Sequence, residues 1–144
     1  MTQVNNESES IVMQVLDTAA ALERGMDGAL SFSRGVTFSE YRILRTLQDA
    51  DRGLTRVALA NVLSVSPSGV TRALKPLEKL GYVTTVKNER DARQSLAMLT
   101  EGGRELLSDV SGVLNDYLNG LDIESISEVQ LSALEQVLKT LRDR

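Results

Sequence analysis

The stretch SPSGVTRALKPLEKL, residues 66–80, leaves the backbone few options. The Ser66 hydroxyl can accept a bond from an orphan amide of a first helical turn, and Pro67 falls where its missing N–H costs nothing. Gly81 can take the left-handed conformation that closes a helix. Between these ends, Val70, Leu74, Leu77 and Leu80 recur at steps of four, three and three, which predicts one apolar face. The other side carries Ser68, Gly69, Thr71, Arg72, Lys75 and Lys79. Small hydroxyl residues in front with basic residues behind suit a helix that pushes its first turns into a DNA major groove. An ordinary amphipathic surface helix shows the same pattern, so the neighbouring segments must decide.

Upstream, Thr55 is placed to cap a short helix over residues 56–63, with Leu59, Val62 and Leu63 inward. Ser64-Val65 then connects tightly into Ser66. Short helix, turn and capped second helix with a basic outer face form the helix-turn-helix plan, for which a plain helical corner is the alternative. Downstream, residues 82–86 are β-branched and aromatic and read as a strand, and residues 94–99 read as a second, weaker one. The residues between, 87–93, are too polar to bury and predict a charged hairpin tip. A ribbon directly after a recognition helix is a wing. An arginine at its tip suits the narrow, negative minor groove beside an occupied major groove. Arg90 and Arg93 are the candidates, and Asp91 can brace an arginine or the backbone of the turn. Alone, the tip reads as a solvated charge run; after a helix-turn-helix it reads as a contact.

The flanks are helical. Over residues 10–30, Ile11, Val15, Ala19, Leu22, Met26 and Leu30 trace one stripe, weakened at Gly25 and Gly28 by ~1 kcal/mol each relative to Ala. Residues 32–36 read as a loop. Thr37-Phe38-Ser39-Glu40 is a capping box with Val36 and Tyr41 placed as its hydrophobic staple, opening a helix through Ile43, Leu44 and Leu47 that ends near residues 51–53. Thr100 caps the next helix, whose stripe is Leu106, Leu107, Val110, Leu114, Tyr117, Leu118 and Leu121. The last helix opens at Ser125 or Ser127 and carries Leu131, Leu134, Leu138 and Leu141 as a heptad-like seam. These terminal helices bring more apolar surface than the central segment can cover. Two chains with interleaved terminal helices would cover it; an internal helical layer is the alternative.

A net charge of −4 counts against nucleic acid until its distribution is read. Residues 54–99 hold Arg56, Arg72, Lys75, Lys79, Lys87, Arg90 and Arg93 against Glu78, Glu89 and Asp91, a local +4 that leaves −8 elsewhere. A basic middle between acidic ends is the asymmetry of a DNA-facing surface, although charge alone would not decide it. Cysteine and histidine are both absent, which excludes disulfides, thiol switches, thiolate or imidazole metal sites, and catalytic dyads or triads built on either residue. There is no glycine-rich phosphate loop or compact acidic cluster, and Gly102-Gly103 falls in a helix start, so neither catalysis nor a cofactor is expected. The length of 144 residues fits one domain. No apolar run approaches the ~18 residues of a membrane span, and MTQVNNESES lacks the features of a signal or transit peptide, so the cytoplasm is the expected compartment.

Residues 54–106, LTRVALANVLSVSPSGVTRALKPLEKLGYVTTVKNERDARQSLAMLTEGGREL, resemble the MarR family of bacterial transcription regulators. The resemblance is carried by SPSGVTRALKPLEKLGYV, by Asp91-Ala92-Arg93 and by LTEGGREL, in wording and in spacing; the flanking helices match in number and length only. It implies a mainly α fold with a small β-hairpin (α+β): a winged helix-turn-helix over 37–99, an N-terminal dimerisation helix and loop over 10–36, and C-terminal dimerisation helices over 100–144, after a flexible tail at 1–9. It also implies a homodimer on a pseudo-palindromic operator, usually as a repressor, released by a small phenolic or otherwise anionic effector. The family's wing arginine maps to Arg93, its acidic companion to Asp91, and its recognition contacts to Ser66, Ser68, Gly69, Thr71, Arg72 and Lys75. Phosphate contacts are expected from Lys75, Lys79, Lys87 and Arg56, and base contacts from Thr71 and Arg72. Two features depart from the pattern: Pro76 lies inside the recognition helix, and the missing Cys and His remove thiol-oxidation and zinc sensing. The competing function is a winged-helix module whose basic face meets an acidic protein. An effector pocket is expected near the junction of the first, second and fifth helices.

Overall fold

The computed structural model describes residues 6–143, without the side chains of Ser33 and Arg34. The chain runs α1 (Asn6–Arg34), α2 (Phe38–Gln48), α3 (Arg56–Leu63), α4 (Pro67–Lys79), β1 (Val83–Lys87), β2 (Ser95–Leu99), α5 (Glu101–Asn119), a 3-10 turn (Ile123–Ser125) and α6 (Glu128–Arg142). This is a winged helix-turn-helix framed by terminal helices, mainly α with one antiparallel hairpin. No described helix is long and apolar enough to cross a membrane.

One buried cluster joins Ile43, Leu44 and Leu47 of α2, Leu59, Ala60 and Leu63 of α3, and Val70, Leu74 and Leu77 of α4. Val83, Ala97 and Leu99 extend it into the hairpin, and Leu106, Leu107, Val110 and Leu114 of α5 close it with Leu30 of α1. Each such leucine contributes about 1.5–3 kcal/mol relative to exposure, so the cluster holds α4 by its inner face only. The polar side is left free. Some positions expected to face inward do not: Val62 is 59% and Leu80 63% exposed, Leu121 lies at the surface, Tyr117 and Leu118 are half-buried, and Ala60 is buried on α3.

The caps fall where the side-chain chemistry puts them. Thr37 and Glu40 exchange both bonds of a capping box, Glu40 N–H to Thr37 Oγ1 and Thr37 N–H to Glu40 Oε1, each at 3.1 Å. The α4 helix ends in a Schellman turn: Tyr82 N–H reaches the Leu77 carbonyl at 2.9 Å and Gly81 N–H the Glu78 carbonyl at 3.0 Å. Gly81 sits at φ +83°, which a side chain would resist. α4 is one continuous helix through Pro76. Ser127, rather than Ser125, caps α6, with Gln130 completing its box.

The hairpin pairs Val83 with Leu99 through to Lys87 with Ser95, one residue later on β1 than the sequence predicts. Leu54 adds an isolated bridge on the other side of β2, donating to the Ala97 carbonyl at 3.0 Å and accepting from its amide at 2.8 Å. Boundaries at the N-terminal side also differ. α1 begins at Asn6, inside the expected tail, and continues to Arg34 through the expected loop, while α2 stops at Gln48. Glu7 and Glu9 favour the positive start of α1, and no proline interrupts it before Gly35. The rest of the expected tail, residues 1–5, lies outside the described residues.

Candidate nucleic-acid interface

Successive residues of a helix turn by 100°, so Ser68, Arg72, Lys75 and Lys79, at steps of four, three and four, form a stripe opposite Val70, Leu74 and Leu77. All four are exposed. The side chains of Arg72, Lys75 and Lys79 make no hydrogen bond or ion pair among the described residues, so their charges are available to a ligand. The start of α4 is ordered more tightly. Ser66 Oγ accepts from Gly69 N–H at 3.1 Å and lies 3.2 Å from Ser68 Oγ. Thr71 sits on the flank of the stripe, half-buried, and its hydroxyl donates to the Pro67 carbonyl at 3.1 Å. Its lone pairs stay open.

At the wing tip two Asx turns follow one another. Asn88 Oδ1 accepts from Arg90 N–H and Asp91 Oδ1 from Arg93 N–H, both at 3.1 Å. The hairpin is closed over them by Asn88 N–H to the Gln94 carbonyl at 3.1 Å and Gln94 N–H to the Asp91 carbonyl at 3.0 Å. Each Asx side chain thus fixes the backbone of the arginine two residues on. Of its two expected roles, Asp91 takes that of bracing the turn. Lys87, Arg90 and Arg93 are exposed, and their side chains are unengaged among the described residues.

Arg56 is placed differently. Its guanidinium faces inward, donating through Nη1 to Ser95 Oγ at 3.0 Å and lying 3.5 Å from Glu78 Oε1 through Nη2. Thr85 Oγ1 donates to the same Glu78 oxygen at 2.7 Å. Sequence reading found neither Glu78, Thr85 nor Ser95, because partners 22 and 39 residues apart leave no periodic trace. It could have found Asn88, whose spacing to Arg90 repeats that of Asp91 to Arg93.

The MarR family model matches residues 34–94, which takes in α2, the helix-turn-helix and most of the wing. That segment, less than half of the chain, is similar to the MarR family. Proteins similar to this chain include the HTH-type transcriptional regulator SarZ of Staphylococcus epidermidis, 33% identical over 87 residues. That match takes in 58% of each chain, so this chain spans less than two-thirds of that relative's length. Among solved structures, Sco3205, a MarR family transcriptional regulator from Streptomyces coelicolor in complex with DNA, superposes with a TM-score of 0.88 at 22% identity, covering 99% of this chain and 90% of that one. CouR from Rhodococcus jostii RHA1, bound to p-coumaroyl-CoA, gives 0.82 at 20% identity, covering 95% and 94%. At those identities the likeness is one of fold.

Proposed function

We propose that this chain is a DNA-binding transcription regulator acting as a homodimer on a pseudo-palindromic operator. The observation that carries the reading is the exposed, internally unpartnered stripe of Arg72, Lys75 and Lys79 on a capped helix, followed by a wing whose turns present Arg90 and Arg93. In this reading Ser66, Ser68, Gly69 and Thr71 meet the major groove at close range, because small side chains let the backbone approach. Arg72 and Thr71 read base edges, while Lys75, Lys79 and Lys87 set position on phosphates. Arg93, with Arg90 beside it, enters the minor groove, and Asp91 holds the turn that aims it. Sco3205 is a family member seen with DNA, which supports the assignment.

Pairing of two chains follows from surface that one chain leaves open. α6 buries none of its residues, and Leu134, Val137 and Leu141 face outward there, as do Ile11, Met13 and Leu16 on α1. A two-fold partner covering both helices would set two recognition helices about one DNA turn, ~34 Å, apart. Repression would then be relieved by any small ligand that favours a lobe spacing missing successive grooves. CouR holding p-coumaroyl-CoA supports a small-molecule effector, whose identity here is a matter for experiment.

The test is selection of duplexes from a random pool by the purified protein, followed by gel shift of the winner against a scrambled competitor. A two-fold symmetric consensus that survives competition is expected. No enrichment, with salt-sensitive capture of an acidic protein instead, would overturn the DNA reading in favour of an interaction module.

A further inference from the structure

The inner face of the hairpin changes character along its length. At the base, Val83, Ala97 and Leu99 are buried in the core and fix the strands against the helices. Further out on the same face come Thr85 of β1, opposite Ala97, and Ser95 of β2, opposite Lys87, which apolar packing does not hold. These two hydroxyls are the ones tied to Glu78 of α4 and Arg56 of α3. The Arg56 and Glu78 side chains are 26% and 33% exposed, so the pair is partly withdrawn from the solvent that screens surface charges.

We infer that Arg56 and Glu78 form a latch that sets the angle between the recognition helix and the wing, and that Arg56 is a positioning residue rather than a phosphate contact. A planar guanidinium can hold Ser95 and Glu78 at once, and Glu78 then holds Thr85, so four elements converge on one ion pair. Without it the outer half of the wing pivots on its apolar base, and the arginines at its tip lose their fixed distance from Arg72. The inference rests on the DNA-binding reading for its consequence, but the latch itself is a property of the free protein.

Electrostatics and positioning predict opposite signs at Glu78, which makes the inference testable. Glu78→Ala removes a negative charge near the proposed DNA face and places the best helix former in α4. Charge alone would therefore tighten DNA binding. The latch requires Glu78→Ala to weaken binding to the duplex selected by the wild-type protein, by about threefold to tenfold, and Arg93→Ala to cost less in that background than in wild type. Arg56→Lys should be as impaired as Arg56→Gln, because one ammonium cannot reproduce the two-sided grip, and the salt slope of both should match wild type. Tighter binding by Glu78→Ala, additivity with Arg93→Ala, or a salt slope lowered by about one in Arg56→Gln with recovery in Arg56→Lys would overturn the latch.

Amide exchange in the free protein separates failure of the latch from failure of the DNA reading. Glu78→Ala and Arg56→Gln should speed exchange at Asn88 and Gln94 while leaving α2 and α5 unchanged. Faster exchange in a protein that selects no duplex would keep the latch and discard the function. Unchanged exchange would discard the latch.

Discussion

At the scale of single residues, the proposed interface separates charges that read from charges that position. Arg72 can direct a forked guanidinium at a base edge, whereas Lys79, two turns further on, offers a point charge to a phosphate. Arg72→Ala should therefore relax sequence preference, costing about 1–3 kcal/mol on the selected duplex and little on a scrambled one. Lys79→Ala should weaken both alike and lower the salt slope by about one. Binding-site selection on the two variants checks this; indistinguishable consensus sequences would reverse the roles. On the wing, Arg93→Ala should cost at least ~1 kcal/mol of operator binding. Asp91 acts through an oxygen on the Arg93 amide, so Asp91→Asn, which keeps that oxygen, should bind nearly as wild type, and Asp91→Ala should not. Equal loss in both would mean that the carboxylate charge, rather than the turn, is what the wing needs. The exposed basic residues were legible in the sequence because charge and 3.6-residue spacing are local properties. The partners of Arg56 were not, since only the fold brings Ser95 and Glu78 to it.

At the scale of elements, side chains that bond to their own turn are readable, and fit between elements is not. Thr37, Thr55, Ser66, Thr100 and Ser127 all cap as their residue types dictate, since a cap needs only the next three amides. Element ends that depend on packing drifted instead, as with α1 running through Phe32 and β1 shifted by one residue. The glycines show the same division. Gly25 and Gly28 look alike in the sequence as weak points of α1, yet a Cβ on Gly25 would lie 1.9 Å from Tyr117 Oη and one on Gly28 would meet nothing within 4 Å. Gly28→Ala should raise stability by up to ~1 kcal/mol, and Gly25→Ala should lower it by about 1–3 kcal/mol as Tyr117 is forced aside. Gly103 is less forgiving, because a Cβ there would come within 2.4 Å of the Tyr82 carbonyl, a backbone atom that cannot swing away as the Tyr117 side chain can. That approach lets Thr100 donate to the Gly81 carbonyl and its amide to Tyr82 O, fastening the end of α4 to the start of α5. Thermal melts of the three alanine variants check the order; a Gly103→Ala protein as stable as wild type would show that the junction is looser than drawn.

At the scale of the whole molecule, the acidic and basic halves have different tasks. The basic segment forms a compact lobe on a shared core, while α6 runs from Glu128 to Arg142 without burying a residue. A helix of that length is marginal by itself in water, so its apolar face needs a partner. The groove between α1 and α6, lined mainly by Ile11, Val15, Leu22, Leu134 and Leu138 with Gln14 and Thr18, would offer a largely apolar face of the same chemistry on each chain, as a two-fold interface requires. The proposed pairing would also answer the charge problem. One lobe of +4 in a chain of −4 is a weak ligand for a polyanion, but two lobes on one duplex bind with a high effective concentration of the second for the first. Leu134→Asp should therefore give single chains in sedimentation equilibrium, a lower melting temperature that no longer rises with protein concentration, and loss of full-site binding by far more than the charge change explains. The lobe's own core lies apart from Leu134, so the variant should keep its wing and recognition helix folded, with weak half-site binding as the residue of function. A Leu134→Asp protein that stayed dimeric would move the interface elsewhere, and one that bound the full operator as a monomer would remove the reason for pairing at all.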